Sequence, residues 1–345
     1  MTEITRVKNG QDHKNLPFWN VKNKVGAMRV IWILNSFLMG LFLPTLNSYG
    51  TDDIQKRRIL ELRNCQNCNL EGASFRGMNL KYLDLSGAVL TNADFTGANL
   101  QGASFKGAKL HNTSFYKANL MDTDLREADF SNADLRRAEI QGARLHDANL
   151  QLVNARGANF SYCEIISTAF RKANLKGAQF KEVNFYQPNF QGANLSGVDL
   201  SHQNLSEASF VKAIMVKTNL SHTTLRDSDL SGANLSYGYL GHSNLQNVRM
   251  ASGSLAYSNL AHARLQGAFL SKVNMRNIDL RSSNGSYSLF HQVDLSGANL
   301  QSSRFRNSKI LDSQLKRATV SKAIFCGTTI NSRALRPCNY SPASL

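Results

Sequence analysis

The chain has 345 residues, of which 9% are aromatic and 19% charged, a composition that excludes a disordered polyelectrolyte and suits either two ordinary domains or one long repetitive array. Lys and Arg number 40 against 24 Asp and Glu, giving a net charge of +16 and a pI near 9.8. That balance fits a partner bearing phosphates, anionic lipid or acidic polysaccharide, or else a basic surface that is merely well solvated.

Residues 1–50 read as a leader. Lys22, Lys24 and Arg29 form a basic flank, and Val30 to Leu43 is apolar apart from Asn35, Ser36 and Gly40. Pro44 then breaks the run, and Ser48 and Gly50 are small enough for a signal peptidase. The run of 14 residues is short of the ~20 that cross a bilayer comfortably. The expectation is therefore a cleaved signal and an exported protein, periplasmic or secreted. The alternative is anchoring in the inner membrane by residues 30–46. Met28 offers a second start, which would leave residues 1–27 untranslated. The absence of a lipobox cysteine after the run argues against lipidation.

Residues 51–65, "TDDIQKRRILELRNC", predict an N-terminal cap. Asp52 or Asp53 caps a short helix whose apolar residues include Ile54, Leu60 and Leu62. Such a cap covers the open end that any stacked array would expose.

From residue 66 the chain divides into blocks of five without a slip of phase. The central residue falls on each multiple of five from Leu70 to Ile330, making 53 consecutive blocks. These centres are 29 Leu, 14 Phe, four Ile, three Met and one Val; only Ala155 and Gly285 break the pattern. A small residue precedes the centre by two places, as at Ala73, Ala88 and Ala93, and Asn or Asp often comes immediately before it, as at Asp84 and Asn99. Gly stands two places after the centre in 15 blocks, including Gly72, Gly77 and Gly97. Five matches neither the 3.6 period of a helix nor the 2 of a strand. It fits a chain that turns a corner every five residues, pointing one large and one small side chain inward from each side of a square. Glycine then supplies the positive φ of the tight turn.

Four sides make a coil of twenty residues, and coils stack at roughly 4.8 Å. Residues 66–330 would give about 13 coils and a rod on the order of 60 Å long. Residues twenty apart become vertical neighbours, so Phe75, Phe95 and Phe115 form one interior ladder and Phe170, Phe190 and Phe210 another. A leucine-rich or ankyrin repeat needs a longer period with different internal spacing and is excluded. The centres at Ala155 and Gly285 predict local bulges or loosened sides.

Blocks such as "ADFTG", "ANLQG", "ANLSG" and "ADLRR" resemble the A(D/N)LXX consensus of the pentapeptide-repeat family over residues 66–330. The resemblance implies an all-β fold, a right-handed quadrilateral β-helix. It also implies that no activity is assigned to most relatives, while a few resist or inhibit DNA gyrase by imitating the shape and negative charge of duplex DNA. A C-x-x-C leading straight into the repeats is similar to exported bacterial members, which often carry a second cysteine pair at the far end. On that resemblance, and in an oxidising compartment, Cys65–Cys68 and Cys326–Cys338 are expected as disulfides, the latter within a C-terminal cap or tail at 331–345. The competing reading of C-x-x-C as a redox or zinc site lacks a βαβ context and a second C-x-x-C. Cys163 falls on an inward small-residue position and should be a buried free thiol.

No catalytic motif emerges: the chain lacks a Ser–His–Asp spacing, a phosphate loop, an H-E-x-x-H and a calcium loop. Carboxylates such as Asp124 and Asp129 are accounted for by the consensus. A non-enzymatic protein with no cofactor is expected. One pattern goes beyond the repeat. His202, His222, His242 and His262 recur twenty apart and should stand as a column at one corner, either a surface site for zinc, copper or nickel or a stacked ring ladder.

The charge is unevenly spread. Residues 66–248 carry 17 basic and 16 acidic residues, whereas 249–330 carry 11 and three. The surplus, including Arg304, Arg306, Lys309, Lys316, Arg317 and Lys322, is distributed over all four sides as a collar. A collar suits an anionic surface met end-on and fits a nucleic-acid track poorly. It also opposes gyrase-directed mimicry, which needs an acidic rod. The sequence thus predicts an exported scaffold that binds a protein or an anionic envelope surface. A metal-binding envelope protein or a secreted effector for a polyanion is the alternative.

Overall fold

The computed structural model describes Ile59, Glu61 and residues 63–335. The leader with its signal sequence, the start at Met28, the membrane-anchor alternative, most of the cap and Cys338 lie outside the described residues. Of the expected cap helix, Ile59 and Glu61 are helical, and the Arg63 N–H donates to Ile59 O at 3.0 Å. Ile59 is buried against the first coil's core.

The chain winds as a quadrilateral all-β helix. Parallel bridges join residues twenty apart, from Asn64↔Asp84 and Asn69↔Val89 through to Arg304↔Ile324, always at the residue before the centre. At most places a side of the square is too short for more than one bridge. The contacts lengthen into strands at β1 (Glu164–Ile166), β2 (Asn184–Tyr186), β3 (Arg249–Ala251), β4 (Phe269–Ser271), β5 (Leu289–His291) and β6 (Lys309–Leu311). β1 pairs with β2, and β3 to β6 form one parallel ladder. β7 (Thr329–Ile330) extends this ladder, and β8 (Arg333–Ala334) folds back antiparallel on it. That reversal gives the last coil's edge a partner and ends the stack.

Each consensus position has a physical task. The centres from Leu85 to Leu300 are nearly all fully buried, each contributing about 1.5–3 kcal/mol. Phe75, Phe95 and Phe115 stack as the sequence predicts, with centroids 4.8 and 5.1 Å apart, and Phe170, Phe190 and Phe210 follow at 5.1 and 5.3 Å. Asn or Asp before the centre accepts the N–H two residues on, as Asp94 does from Thr96 at 2.8 Å. Where Thr replaces the inward Ala, its hydroxyl donates to a backbone carbonyl, that of the coil beneath for Thr168 (Leu145 O at 2.6 Å) and of its own coil for Thr123 (Leu120 O at 2.7 Å). The corner residue two places after the centre has positive φ whether or not it is glycine: Tyr287 sits at 62° and Leu152 at 60°. Glycine eases the corner but is not required for it.

The two interrupted blocks are not bulges. Ala155 is fully buried and its N–H donates to Asn174 O at 2.9 Å, in register. Gly285 keeps its ladder bond to Arg304 O at 2.7 Å, and the space a side chain would take holds the Phe305 ring. Both sides are regular, and at Gly285 the Phe305 ring fills the missing volume.

Loosening occurs elsewhere, between the coils at 177–187 and 197–207. Gln179 and Asp199 still bridge, but Asn184 and Asn204 do not, and the usual bonds from the N–H groups of Gly177, Glu182, Phe185 and Gln187 to the next coil are absent there among the described residues. That from Asn204 to the coil before is absent too. Gln203 stands in the inward slot normally held by a small residue, too large for it, and is only half-buried. Its Oε1 accepts the Val183 N–H at 3.3 Å. Pro188, without an N–H, borders the same junction.

Candidate functional site

The basic terminal coils are built from outward positions of the square. Arg304, Arg306, Lys309, Lys316, Arg317 and Lys322 are all exposed, and none forms an ion pair among the described residues. Nearby acids are otherwise engaged: Asp294 with Arg276 at 2.8 Å, Asp279 with Arg281 at 2.7 Å and Asp312 with His291 at 3.3 Å. The six cations therefore keep their charge for an external partner. The core thins toward this end, where Leu315, Val320 and Ile330 are only partly covered.

The histidine column forms as the twenty-residue spacing requires. The rings of His202, His222, His242 and His262 stack at 4.8, 4.8 and 4.6 Å, within 5° of parallel. Stacked rings carry their nitrogen lone pairs in parallel planes, so neighbouring nitrogens diverge from a common point instead of converging on one. Among the described residues no group of three or more His, Cys, Asp or Glu is placed to hold a metal ion. Burial of the ring, with the charges that His262 and His222 acquire on protonation, holds His242 below the ordinary imidazole pKa. Beside the column, Tyr237 and Tyr257 make a second stack at 5.0 Å.

Cys65 and Cys68 lie side by side at the start of the first coil, Cα atoms 5.3 Å apart. Cys326 belongs to the last coil, and its expected partner Cys338 lies outside the described residues. Cys163 is a free, buried thiol. It donates to Ile140 O at 3.1 Å, and burial pushes its pKa up to about 12.

Carboxylates beside the corners serve the turns. Burial acts to raise Asp124, but hydrogen bonds from the Arg126 side chain and N–H, with the charge of Arg144, outweigh it and leave the carboxyl below its ordinary value. Asp134 with Arg136 and Asp279 with Arg281 repeat the arrangement. Each such carboxylate is tied to the arginine of its own block, and Asp124 also to Arg144 of the next coil at 3.2 Å.

One feature escaped the sequence reading. A shallow groove of about 450 Å³ lies along a corner in the balanced half of the rod, lined by Tyr116, Arg136, Arg137, Arg156, Gly157, Lys176 and Gly177. Its signal was present in the period: Arg136, Arg156 and Lys176 are twenty apart and form one file.

The family model for Pentapeptide repeats (8 copies) matches overlapping segments that together span residues 64–281 and 288–329. Among solved structures, the chain is similar to HetL, a pentapeptide repeat protein involved in heterocyst differentiation regulation from the cyanobacterium Nostoc sp. strain PCC 7120. That match is 21% identical over 81% of this chain and 97% of HetL, with a TM-score of 0.28. It is also similar to a pentapeptide repeat protein of the Arabidopsis thaliana thylakoid lumen, 32% identical over 34% of this chain and 68% of that one, TM-score 0.21. QnrB1, a plasmid-mediated fluoroquinolone resistance protein, matches at 21% identity over 62% of this chain and 94% of its own, TM-score 0.24. The comparison with curated proteins yields no match.

Proposed function

The chain belongs to the pentapeptide-repeat family, and on that footing we propose that it is a non-enzymatic, exported interaction scaffold that meets an anionic envelope surface through its basic terminal coils. The observation that carries this reading is the set of six exposed cations, Arg304, Arg306, Lys309, Lys316, Arg317 and Lys322, left without acidic partners among the described residues, while Asp279 and Asp294 are paired with Arg281 and Arg276. Lys and Arg in such number, close together and unneutralised, attract a surface of fixed negative charge, and the attraction weakens with salt. Export is supported by the layout of the leader and by the Cys65 and Cys68 pair, which suits an oxidising compartment. The histidine column belongs to the scaffold as a ring ladder, because its nitrogens do not converge.

Flotation with vesicles containing an anionic phospholipid, compared with purely zwitterionic ones, tests the reading. The protein should float with the anionic vesicles at low salt and be released at high salt. A variant with all six cations changed to Gln should stay behind. Equal flotation with zwitterionic vesicles, or flotation unaffected by the six changes, overturns it. Cell fractionation with amino-terminal sequencing decides export: an intact leader on a cytosolic protein ends that part.

A further inference from the structure

The corner that carries the mid-rod groove has the column Lys117, Arg137, Gly157, Gly177, Gly197, Lys217, one residue per coil. Three successive glycines leave a trough without side chains on its floor. A Cβ added at Gly177 or Gly197 would meet nothing within 4 Å, so nothing from the protein fills the space above them. Cations close both ends of the trough, Arg137 and Lys117 at one and Lys217 at the other. Along its flank run Arg136, Arg156 and Lys176 at the coil pitch of roughly 4.8 Å.

All but one of the charges at this corner are available. Arg136 is held by Asp134 at 2.6 Å and lies over the Tyr116 ring at 5.2 Å. Arg137, Arg156, Lys176 and Lys217 are exposed and make no ion pair among the described residues. Across the corner, Glu139 accepts from Gln141 at 2.8 Å and Asn159 at 3.3 Å, and Asp199 accepts from Asn219 at 3.0 Å.

A second observation falls at the same place. At an ordinary corner the N–H of the positive-φ residue donates to the next coil, as Gly157 does to Lys176 O at 3.1 Å and Gly197 to Val216 O at 2.9 Å. Gly177 lines the groove and lies at the loosened junction, and its N–H makes no such bond to Ser196. The inter-coil contact is thus looser at the one glycine of the floor that lines the groove, which leaves room at the cationic corner for an added chain.

We propose that this trough binds a linear uronic-acid polymer laid along the rod, one sugar per coil. Successive rings of such a chain are rotated, so carboxylates of alternate sugars face the wall, one at the Arg137 guanidinium and one two coils on at the Lys176 ammonium, with the Arg156 guanidinium between them. Three observations select this occupant. Arg137 at the corner and Arg156 and Lys176 on its flank advance by one coil each, a step comparable to the advance per sugar in an extended 1,4-linked uronate chain. Arginine forks match planar carboxylates. Single-stranded nucleic acid would need aromatic faces for its bases, and the aromatic here, Tyr116, already has Arg136 and Lys117 over its ring at 5.2 and 5.3 Å. The site lies in a different part of the rod from the terminal collar and does not rest on the reading given for it.

The test is binding of the full chain to a fluorescent galacturonate oligomer at near-physiological salt, read by anisotropy. Neutral dextran, oligothymidylate and polyglutamate of matched charge serve as competitors. The triple variant R137Q, R156Q and K176Q should weaken galacturonate binding by about tenfold or more, while R304Q, R306Q and K309Q together change it by less than about twofold. Circular dichroism and thermal melts of both variants establish that the rod is intact; the altered side chains are exposed. Absence of galacturonate binding overturns the proposal. So does equal loss in the collar variant, retention in the groove variant, or displacement by oligothymidylate or polyglutamate as readily as by unlabelled galacturonate. Loss of vesicle flotation by the collar variant with galacturonate binding intact separates this site from the terminal one.

Discussion

Gln203 Oε1 accepts the Val183 N–H at 3.3 Å, on a side of the square where Asn184 and Asn204 lack the bridge that every neighbouring side keeps. One side-chain amide stands in for several backbone bonds, because a Gln cannot enter a slot sized for Ala. Ala208, in the same slot one side further on, is 1% exposed. Gln203→Ala should let the coils close and raise stability by about 1–3 kcal/mol, the net worth of a few recovered backbone bonds. Hydrogen exchange is the sharper measurement. The amides of Glu182, Phe185 and Gln187 should exchange readily in the natural protein and slowly in the variant. Unchanged exchange would assign the gap to Pro188 instead.

Two glycines separate backbone strain from packing. A Cβ at Gly97 would touch nothing within 4 Å, but φ is +66°. Gly97→Ala should therefore cost about 1 kcal/mol through the left-handed backbone alone. Gly285 is not in that region, yet a methyl group there would run into the Phe305 ring. Gly285→Ala should cost about 1–3 kcal/mol by overpacking. Phe305→Leu, destabilising alone, should recover part of that loss when combined with it, and no Leu change should rescue Gly97→Ala. Denaturant midpoints of the four proteins decide the matter; strict additivity at Gly285 and Phe305 would mean the ring is not the obstacle.

The period of five made the square, the Phe75–Phe95–Phe115 ladder and the histidine column legible, since each follows from counting residues along a regular path. Ala155 and Gly285 misled for the converse reason. A centre lacking a large side chain looks like a fault in a one-dimensional pattern, but the Phe305 ring reaches over from the next coil and fills the space. The groove was hidden by the same flattening. A balance of 17 basic and 16 acidic residues over 66–248 says nothing of Asp134 being tied to Arg136 while Arg156 and Lys176 face a glycine-floored corner. Gln203 was visible as the sole amide in the small-residue column, and its consequence becomes plain once the missing ladder bonds are seen.

The histidine column gives stability a pH dependence of fixed sign. The His242 pKa is lowered in the folded rod by burial and by His262 and His222. An unfolded imidazole near 6.5 then binds protons that the folded one resists. The contribution is present above about pH 6.5 and is lost as pH falls through the folded value. Stability measured by denaturant should drop between neutral pH and pH ~5 by more in the natural protein than in a variant with all four changed to Asn, a residue that tolerates the positive φ. In an imidazole NMR titration His242 should protonate below the pH of an ordinary free imidazole. Equal acid sensitivity of the two proteins would sink the assignment, and zinc calorimetry giving heat that the four changes abolish would restore the metal reading.

Cys163 offers a test of how far the rod opens. With burial pushing its pKa to about 12, the thiolate fraction near pH 8 is on the order of one in ten thousand, and the sulfur is fully buried. Iodoacetamide should leave it unmodified in the native protein and label it on denaturation. The thiol's hydrogen bond contributes little to stability, because Ile140 O also accepts the Ala143 N–H at 3.1 Å and stays satisfied without it. Cys163→Thr should be tolerated within about 1 kcal/mol, since Thr168 and Thr218 fill equivalent slots with hydroxyls bonded to Leu145 O and Leu195 O at 2.6 and 2.9 Å. The labelling rate across a denaturant series then reports opening around Cys163. Stacked coils contact only their neighbours, so opening there need not be global. Because the loosened junction lies one coil away, labelling should run ahead of global unfolding, and Gln203→Ala should bring the two rates together. Coincident rates in the natural protein would show that the missing bonds leave the rod unfolding as a single unit.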